Sequence, residues 1–328
     1  MKDDSIEVPY EKDIASQRPN SCALIVLPDF AVLIPLYVKR LRKTTNIAQI
    51  TQPNGIIYHY FDYRFFMKGL LAMSLTKQKK LNTQIVANAD ALARRCLELF
   101  VASAEQTVRE KNVFHLAISG GRSPQRFFEL LGSEQKALSL PWDKIHLFWV
   151  DERYVPHDSA NSNYKLAIDT FLTKIPIPGK NVHPIPTEFE DFDSAARQYE
   201  KTLRSVFHAK AGQLPKFDLI VLGMGSDGHT GSLFPNSNAS FDTKDLACVV
   251  YLLDQKLPDQ TVNRITLTHP VICAASQIVV LVSGREKAEI LKGVFAGPPD
   301  EVCYPIHVLW PVLDKVIWLI DSPAASLI

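Results

Sequence analysis

Histidine is the side chain best suited to move a proton near neutral pH, and nine of them are scattered along this chain of 328 residues. One context sets a single histidine apart. His229 lies in Gly223-Met224-Gly225-Ser226-Asp227-Gly228-His229-Thr230-Gly231, four glycines in nine residues, directly after an apolar run and two residues from Asp227. Glycine lets a loop fold tightly and approach a ligand, and a nearby carboxylate can orient an imidazole for general-base work. A lone histidine is more often a surface or structural residue, so the glycines carry this reading, and no catalytic role is read for the others. Gly225-Ser226-Asp227-Gly228 is not GxSxG, which argues against a serine nucleophile.

A second glycine-rich segment, Ser119-Gly120-Gly121-Arg122-Ser123-Pro124, separates a strand-like run from a helical pattern. Its glycines allow close approach to an anion, and a following helix start offers free N–H groups at the positive end of the dipole. The same residues also suit a tight strand-to-helix turn, and both readings stay open. The segment is neither a P-loop nor GxGxxG. Asp151-Glu152-Arg153 follows a strand-like run and by itself reads as a local Asp–Arg ion pair, while Asn161-Ser162-Asn163-Tyr164 opens a helix. Arg264 and Lys287 are further cations near predicted element ends, and each alone reads as solvated.

These segments must be held by something regular. Apolar runs at 113–118, 145–150, 217–222, 278–282 and 316–320 read as buried strands, and they alternate with helical patterns at 125–131, 164–172, 195–207 and 286–295. Asp90 is the expected N-cap of an earlier helix, with Leu92, Cys96, Leu99, Ser103 and Val108 at helical spacing. Alternating buried strands and helices predict a doubly wound, mostly parallel α/β sheet with helices on both faces, from about residue 80 onward. In such sheets ligands sit at the carboxyl ends of the strands, where SGGRSP, DERYVP and the His229 loop fall.

Before Met73 the chain reads differently, so residues 1–72 are expected to form an extension and residues 73–328 the catalytic domain. Cys22 to Val38 is strongly apolar and is followed by Lys39, Arg40, Arg42 and Lys43. Asp29, Pro28 and Pro35 interrupt it, so two short strands or a poorly ordered extension are expected there and no stable membrane insertion. The aromatic stretch from Tyr58 to Phe66 shows no helical or strand period. With 36 basic and 35 acidic side chains the net charge is +1, which gives no global field for nucleic acid or an anionic membrane. Five dispersed cysteines without a CxxC pair argue against a disulfide framework or a zinc site and for a reducing cytoplasm.

Taken together and in this order, SGGRSP, WVDERYVP with the later SNY, GMGSDGHTGSLFP, RITLT and SGREK resemble the 6-phosphogluconolactonase family, over roughly Leu81 to Leu319. The resemblance implies a Rossmann-like fold shared with glucosamine-6-phosphate deaminase and ribose-5-phosphate isomerase, and hydrolysis of 6-phospho-D-glucono-1,5-lactone without metal or organic cofactor. His229 would be the base, Asp227 its orienter, and Arg153 a stabiliser of negative charge. Ser119, Gly120, Gly121, Arg122, Ser123, Arg264 and Lys287 would bind phosphate. Arg122 departs from the small hydroxyl residue expected at that place and adds a cation. Two alternatives fit less well. A deaminase would follow the loop histidine with an acidic residue, which Thr230 to Pro235 lack. A sugar-phosphate-sensing regulator would need an output domain, and the first 72 residues show no convincing helix pair.

Overall fold

The computed structural model describes residues 48–51, 57–60, 81–235, 237–251 and 263–328; Cys22 to Val38 lies outside them. The chain divides into two units, Met1–Gln78 and Lys79–Ile328. In the first, β1 (Ala48–Thr51) pairs antiparallel with β2 (Ile57–Tyr60), Ala48 opposite Tyr60. Strand β2 takes in the first residues of the aromatic stretch for which no period was expected. Four residues are too few to display alternation.

The second unit begins with β3 (Asn82–Val86) and α1 (Ala89–Lys111). The N-cap of α1 is Asn88, whose side chain accepts from the Ala91 N–H at 2.9 Å, and not Asp90. Asp90 instead sits in the first turn, favourable against the helix dipole, and pairs with Arg94 and Arg126. Leu92, Cys96, Phe100 and Ala104 form the buried stripe, so Leu99, Ser103 and Val108 lie beside it. Phe100 meets the rings of Phe114, Phe127 and Trp142 within about 6 Å.

Then follow β4 (Phe114–Ile118), α2 (Arg122–Leu131), α3 (Gln135–Leu138), β5 (Ile145–Trp149), β6 (Asp151–Arg153) and α4 (Asn163–Ala167). The chain continues through β7 (Val182–His183), α5 (Phe192–Val206), β8 (Leu219–Gly223), β9 (Ala247–Val250) and β10 (Arg264–Leu267). It closes with α6 (His269–Ala274), β11 (Gln277–Val282), α7 (Ala288–Phe295) and β12 (Val316–Asp321). Seven strands form one parallel sheet in the order β3-β12-β11-β8-β4-β5-β7. Strands β8, β11 and β12 are buried almost throughout, as expected for a sheet covered on both faces. Each of the five strands expected between residues 113 and 320 corresponds to a strand of this sheet.

The sequence reading missed the polar edge strand β3, the two-residue β7, and a second, antiparallel sheet, β6-β10-β9. In that sheet Arg264 is the direct register partner of Arg153.

Away from the carboxyl ends of the strands, His115 on β4 is in register with His146 on β5. His146 Nδ1 and His183 Nε2 are 3.1 Å apart, with ring planes within 9° and centroids 5.3 Å apart. Those three values place the imidazoles end to end, so one donates and the other accepts. His183 also stacks on Phe148 and His115 on Phe207.

Candidate active site

Strand order reverses between β4 and β8: the chain runs through β5 and β7 on one side, and through β11 and β12 on the other. Loops leaving the carboxyl ends of strands at such a switch point diverge and leave a crevice. A cleft of about 1000 Å³ opens there. It is lined by Ser119, Gly120, Gly121, Arg122 and Ser123 after β4, by Asp227 and His229 after β8, and by Arg153, Arg264 and Lys287. All the candidate residues therefore share one cavity.

The β4–α2 turn is built for close approach. Gly121, the N-cap of α2, has φ of 99°, a conformation natural only to glycine, and no side chain caps the helix. The first N–H groups of α2 are therefore left for a ligand. A Cβ on Gly120 would come within 1.9 Å of Asn163 Oδ1, so that position has no room for a side chain. Lys287 is only 7% exposed, and its ammonium makes no hydrogen bond or ion pair among the described residues. Burial, the largest influence, pushes its ammonium below the ordinary value; Arg122 acts the same way, and Glu286 and Asp227 oppose. Asp321 fixes the turn ahead of it, accepting from Ser283 Oγ at 2.6 Å and from the Gly284 N–H.

The His229 loop is closed by its own backbone. Gly225 N–H donates to the His229 carbonyl at 2.8 Å, and Thr230 Oγ1 to the Gly223 carbonyl at 2.9 Å. A Cβ on Gly225 would lie 2.1 Å from His229 Nδ1, so a side chain there would displace the imidazole. Asp227 Oδ1 lies 2.5 Å from His229 Nδ1 and also accepts the His229 N–H. Burial pushes the Asp227 carboxyl up, but the hydrogen bond and charge of His229 outweigh it and hold the group below its ordinary value. The ionised carboxylate assigns the proton to Nδ1 and leaves Nε2 as the basic nitrogen. The ring packs on Phe234, centroids 4.4 Å apart, and the Arg264 guanidinium carbon sits 5.1 Å from the same ring centroid.

The expected Asp151–Arg153 ion pair does not form. Arg153 Nη1 donates to the Asn161 carbonyl at 2.7 Å, and Asp151 Oδ2 accepts from Ser232 Oγ at 2.7 Å. Residues two apart on a strand share a face, yet these two are drawn to different loops. Between them Glu152, almost fully buried, accepts from the N–H groups of Arg153, Asn163 and Tyr164 and from Ser162 Oγ. Burial pushes its carboxyl up, and these four donors offset part of that. Glu152 thereby ties the start of α4 to β6. Two arginines in direct cross-strand register repel each other, which is tolerable where an anion arrives between or beside them.

Sequence reasoning gave no functional role to Asp151, Asn163, Glu152 or Phe234. The capping signature Asn161-Ser162-Asn163 was the available signal, since Ser162 caps α4 by accepting from the Lys165 N–H. Among the described residues no group of three or more His, Cys, Asp or Glu is placed to hold a metal, and no helix is long and apolar enough to cross a membrane.

Residues 87–318 match the family model for glucosamine-6-phosphate isomerases/6-phosphogluconolactonase. The chain belongs to that family. It is 34% identical to the 6-phosphogluconolactonase of Nostoc sp. over 247 residues, 75% of this chain and 98% of the relative. The Synechocystis sp. 6-phosphogluconolactonase is 37% identical over 242 residues, 74% of this chain and 96% of the relative. The solved 6-phosphogluconolactonase from Trypanosoma cruzi superposes with a TM-score of 0.67 at 28% identity, covering 75% of this chain and 96% of that one. The parallel α/β fold is thus shared with family members of known structure.

Proposed function

We propose that the chain hydrolyses 6-phospho-D-glucono-1,5-lactone to 6-phospho-D-gluconate, in the oxidative branch of the pentose phosphate pathway. The observation carrying this reading is the cleft itself. It joins an uncapped helix start and a buried, unpaired lysine at one loop pair to a carboxylate-held histidine at another. An anion and a proton acceptor are thereby provided for in one cavity, as an ester bearing a remote phosphate requires.

The phosphate is held by the Gly120–Gly121 backbone, Ser119, Ser123 and the α2 N-terminus, with Arg122, Lys287 and Arg264 supplying charge. Holding the remote phosphate fixes where the lactone carbonyl lies. His229 Nε2 takes a proton from water as its oxygen attacks C1, and Asp227 stabilises the imidazolium through Nδ1–H. The tetrahedral intermediate then collapses with cleavage of the bond from C1 to the ring oxygen, which leaves as a hydroxyl by taking that proton back from Nε2. Arg153, pinned through Nη1 to Asn161, stabilises the developing oxyanion. A positioned water and an oxyanion stabiliser suffice for a lactone, so the scheme calls for no metal or organic cofactor. The near-zero net charge and dispersed cysteines support a small-molecule substrate, no nucleic-acid partner and a cytoplasmic setting.

A coupled assay tests the reading with glucono-1,5-lactone, its 6-phosphate and glucosamine 6-phosphate, each corrected for spontaneous hydrolysis. Enzymatic opening of the phosphorylated lactone well above the unphosphorylated one is expected. Release of ammonia from glucosamine 6-phosphate, with no lactonase activity, overturns it.

A further inference from the structure

Asp151 is a carboxylate with two different neighbours. It is 4% exposed, and its Oδ2 accepts the Ser232 hydroxyl at 2.7 Å. Its Oδ1 has no partner among the described residues, and the side chain lines the cleft. The backbone on either side is fixed: the Asp151 carbonyl accepts Asn163 Nδ2 at 2.9 Å, and Asp151 faces Thr266 across the β6–β10 register. One oxygen therefore anchors the end of the His229 loop, while the other stands in a cavity whose other charged groups are mostly cations.

A carboxylate oxygen facing a binding cavity accepts hydrogen bonds and repels anions. On the lactonase reading, on which this inference rests, the substrate carries three kinds of oxygen. The phosphate is anionic, and the lactone ester and carbonyl carry no proton. The ring hydroxyls are the O–H donors left.

We propose that Asp151 Oδ1 accepts a hydrogen bond from a ring hydroxyl of the bound lactone, which makes Asp151 a specificity-determining residue that reads the polyol face of the substrate. A carboxylate so placed also disfavours entry of the phosphate in the reversed orientation. A charge-assisted hydrogen bond held in a protein cavity changes kcat/KM by about 10- to 100-fold when its partner is removed.

The test measures kcat/KM of the full-length chain on 6-phosphogluconolactone and on its 2-deoxy, 3-deoxy and 4-deoxy analogues, for wild type, Asp151→Asn and Ser232→Ala. In wild type, one deoxy analogue should fall about 10- to 100-fold below the parent. In Asp151→Asn, whose amide oxygen can still take the Ser232 proton while its NH₂ turns to the cleft, the parent should fall similarly and that analogue no further. Ser232→Ala loses the anchor and should keep the wild-type deoxy penalty. An equal loss on all four substrates in Asp151→Asn, or an unchanged deoxy penalty there, overturns the proposal and leaves Asp151 an anchor. Should Asp151→Asn not fold, the wild-type series still decides, because the absence of any deoxy penalty beyond about threefold is enough to reject hydroxyl reading. Failure of wild type to open the parent lactone defeats the functional reading itself and is seen separately.

Discussion

Histidines occupy two regions of the same sheet, and only one of them is equipped for proton transfer. His229 stands on a glycine loop at the carboxyl ends of the strands, with Nδ1 held by Asp227 and its side chain 28% exposed to the cleft. His115, His146 and His183 stand on neighbouring strands, wedged among aromatic rings, and His146 and His183 spend their facing nitrogens on each other. Burial, then the nearby His146 and His115, push His183 down to about 4. A carboxylate partner leaves an imidazole one free nitrogen and a stabilised cation. An imidazole partner takes up the lone pair of whichever ring accepts and penalises the His183 cation. Neighbours, more than exposure, separate a base from a packing residue.

The largest effect is expected of His229→Ala. Turnover should fall about 10²- to 10⁴-fold, the usual share of a general base, with the melting temperature and phosphate affinity little changed. Steady-state kinetics beside calorimetry checks it, and near-normal turnover would remove His229 from the mechanism.

Next in size, Arg264→Ala and Lys287→Ala should raise KM for the phosphorylated lactone by about tenfold or more, with much less effect on the unphosphorylated one. Equal effects on both substrates would assign the residue to the carbonyl end or to the fold.

A smaller effect belongs to the other histidines. Because the folded chain binds protons at His183 less readily than the unfolded chain, acid favours unfolding. The associated stability is complete above the ordinary value of 6.5 and is lost as pH falls from there toward about 4. The groups around this pair are His115, Asp218, Lys111 and Lys180. Asp218, held low by hydrogen bonds from His115 and Lys111 against its burial, contributes in a lower window, below its ordinary 3.8. Melting scans between pH 7 and 4 should show a decline that His183→Gln flattens, by about 2–4 °C, while turnover at pH 7 stays unchanged. A parallel pH dependence in the variant would count against the imidazole pair.

The smallest effect expected is none. A chain beginning at Met73 should fold and keep lactonase activity, since every segment placed in the cleft lies at or beyond Ser119. An insoluble or inactive product beside an active full-length chain would make residues 1–72 part of the catalytic unit.

The main sheet was legible because strands buried on both faces read as continuous apolar runs, and the cleft because loops at their carboxyl ends stood out in glycine. Strands β6 and β10 were not, since Asp151-Glu152-Arg153 is three polar residues whose pairing is decided by a partner more than a hundred residues away. The cap of α1 was misplaced by two residues because Asp90 and Asn88 are both good caps, and only the salt bridges of Asp90 with Arg94 and Arg126 explain its use elsewhere. Asp151 escaped for the converse reason: proximity in sequence suggested Arg153 as partner, whereas the loop after β8 supplies Ser232.

The contact between Gly120 and Asn163 also constrains the history open to this cleft. A methyl group at 120 would overlap Asn163 Oδ1, while Asn163 is committed through Nδ2 to the Asp151 carbonyl and through its N–H to Glu152. Replacing Gly120 requires Asn163 to move or shorten and so loosens its hold on Asp151. The two positions are therefore coupled, and random mutagenesis should recover substitutions at 120 more often in clones already altered at 163.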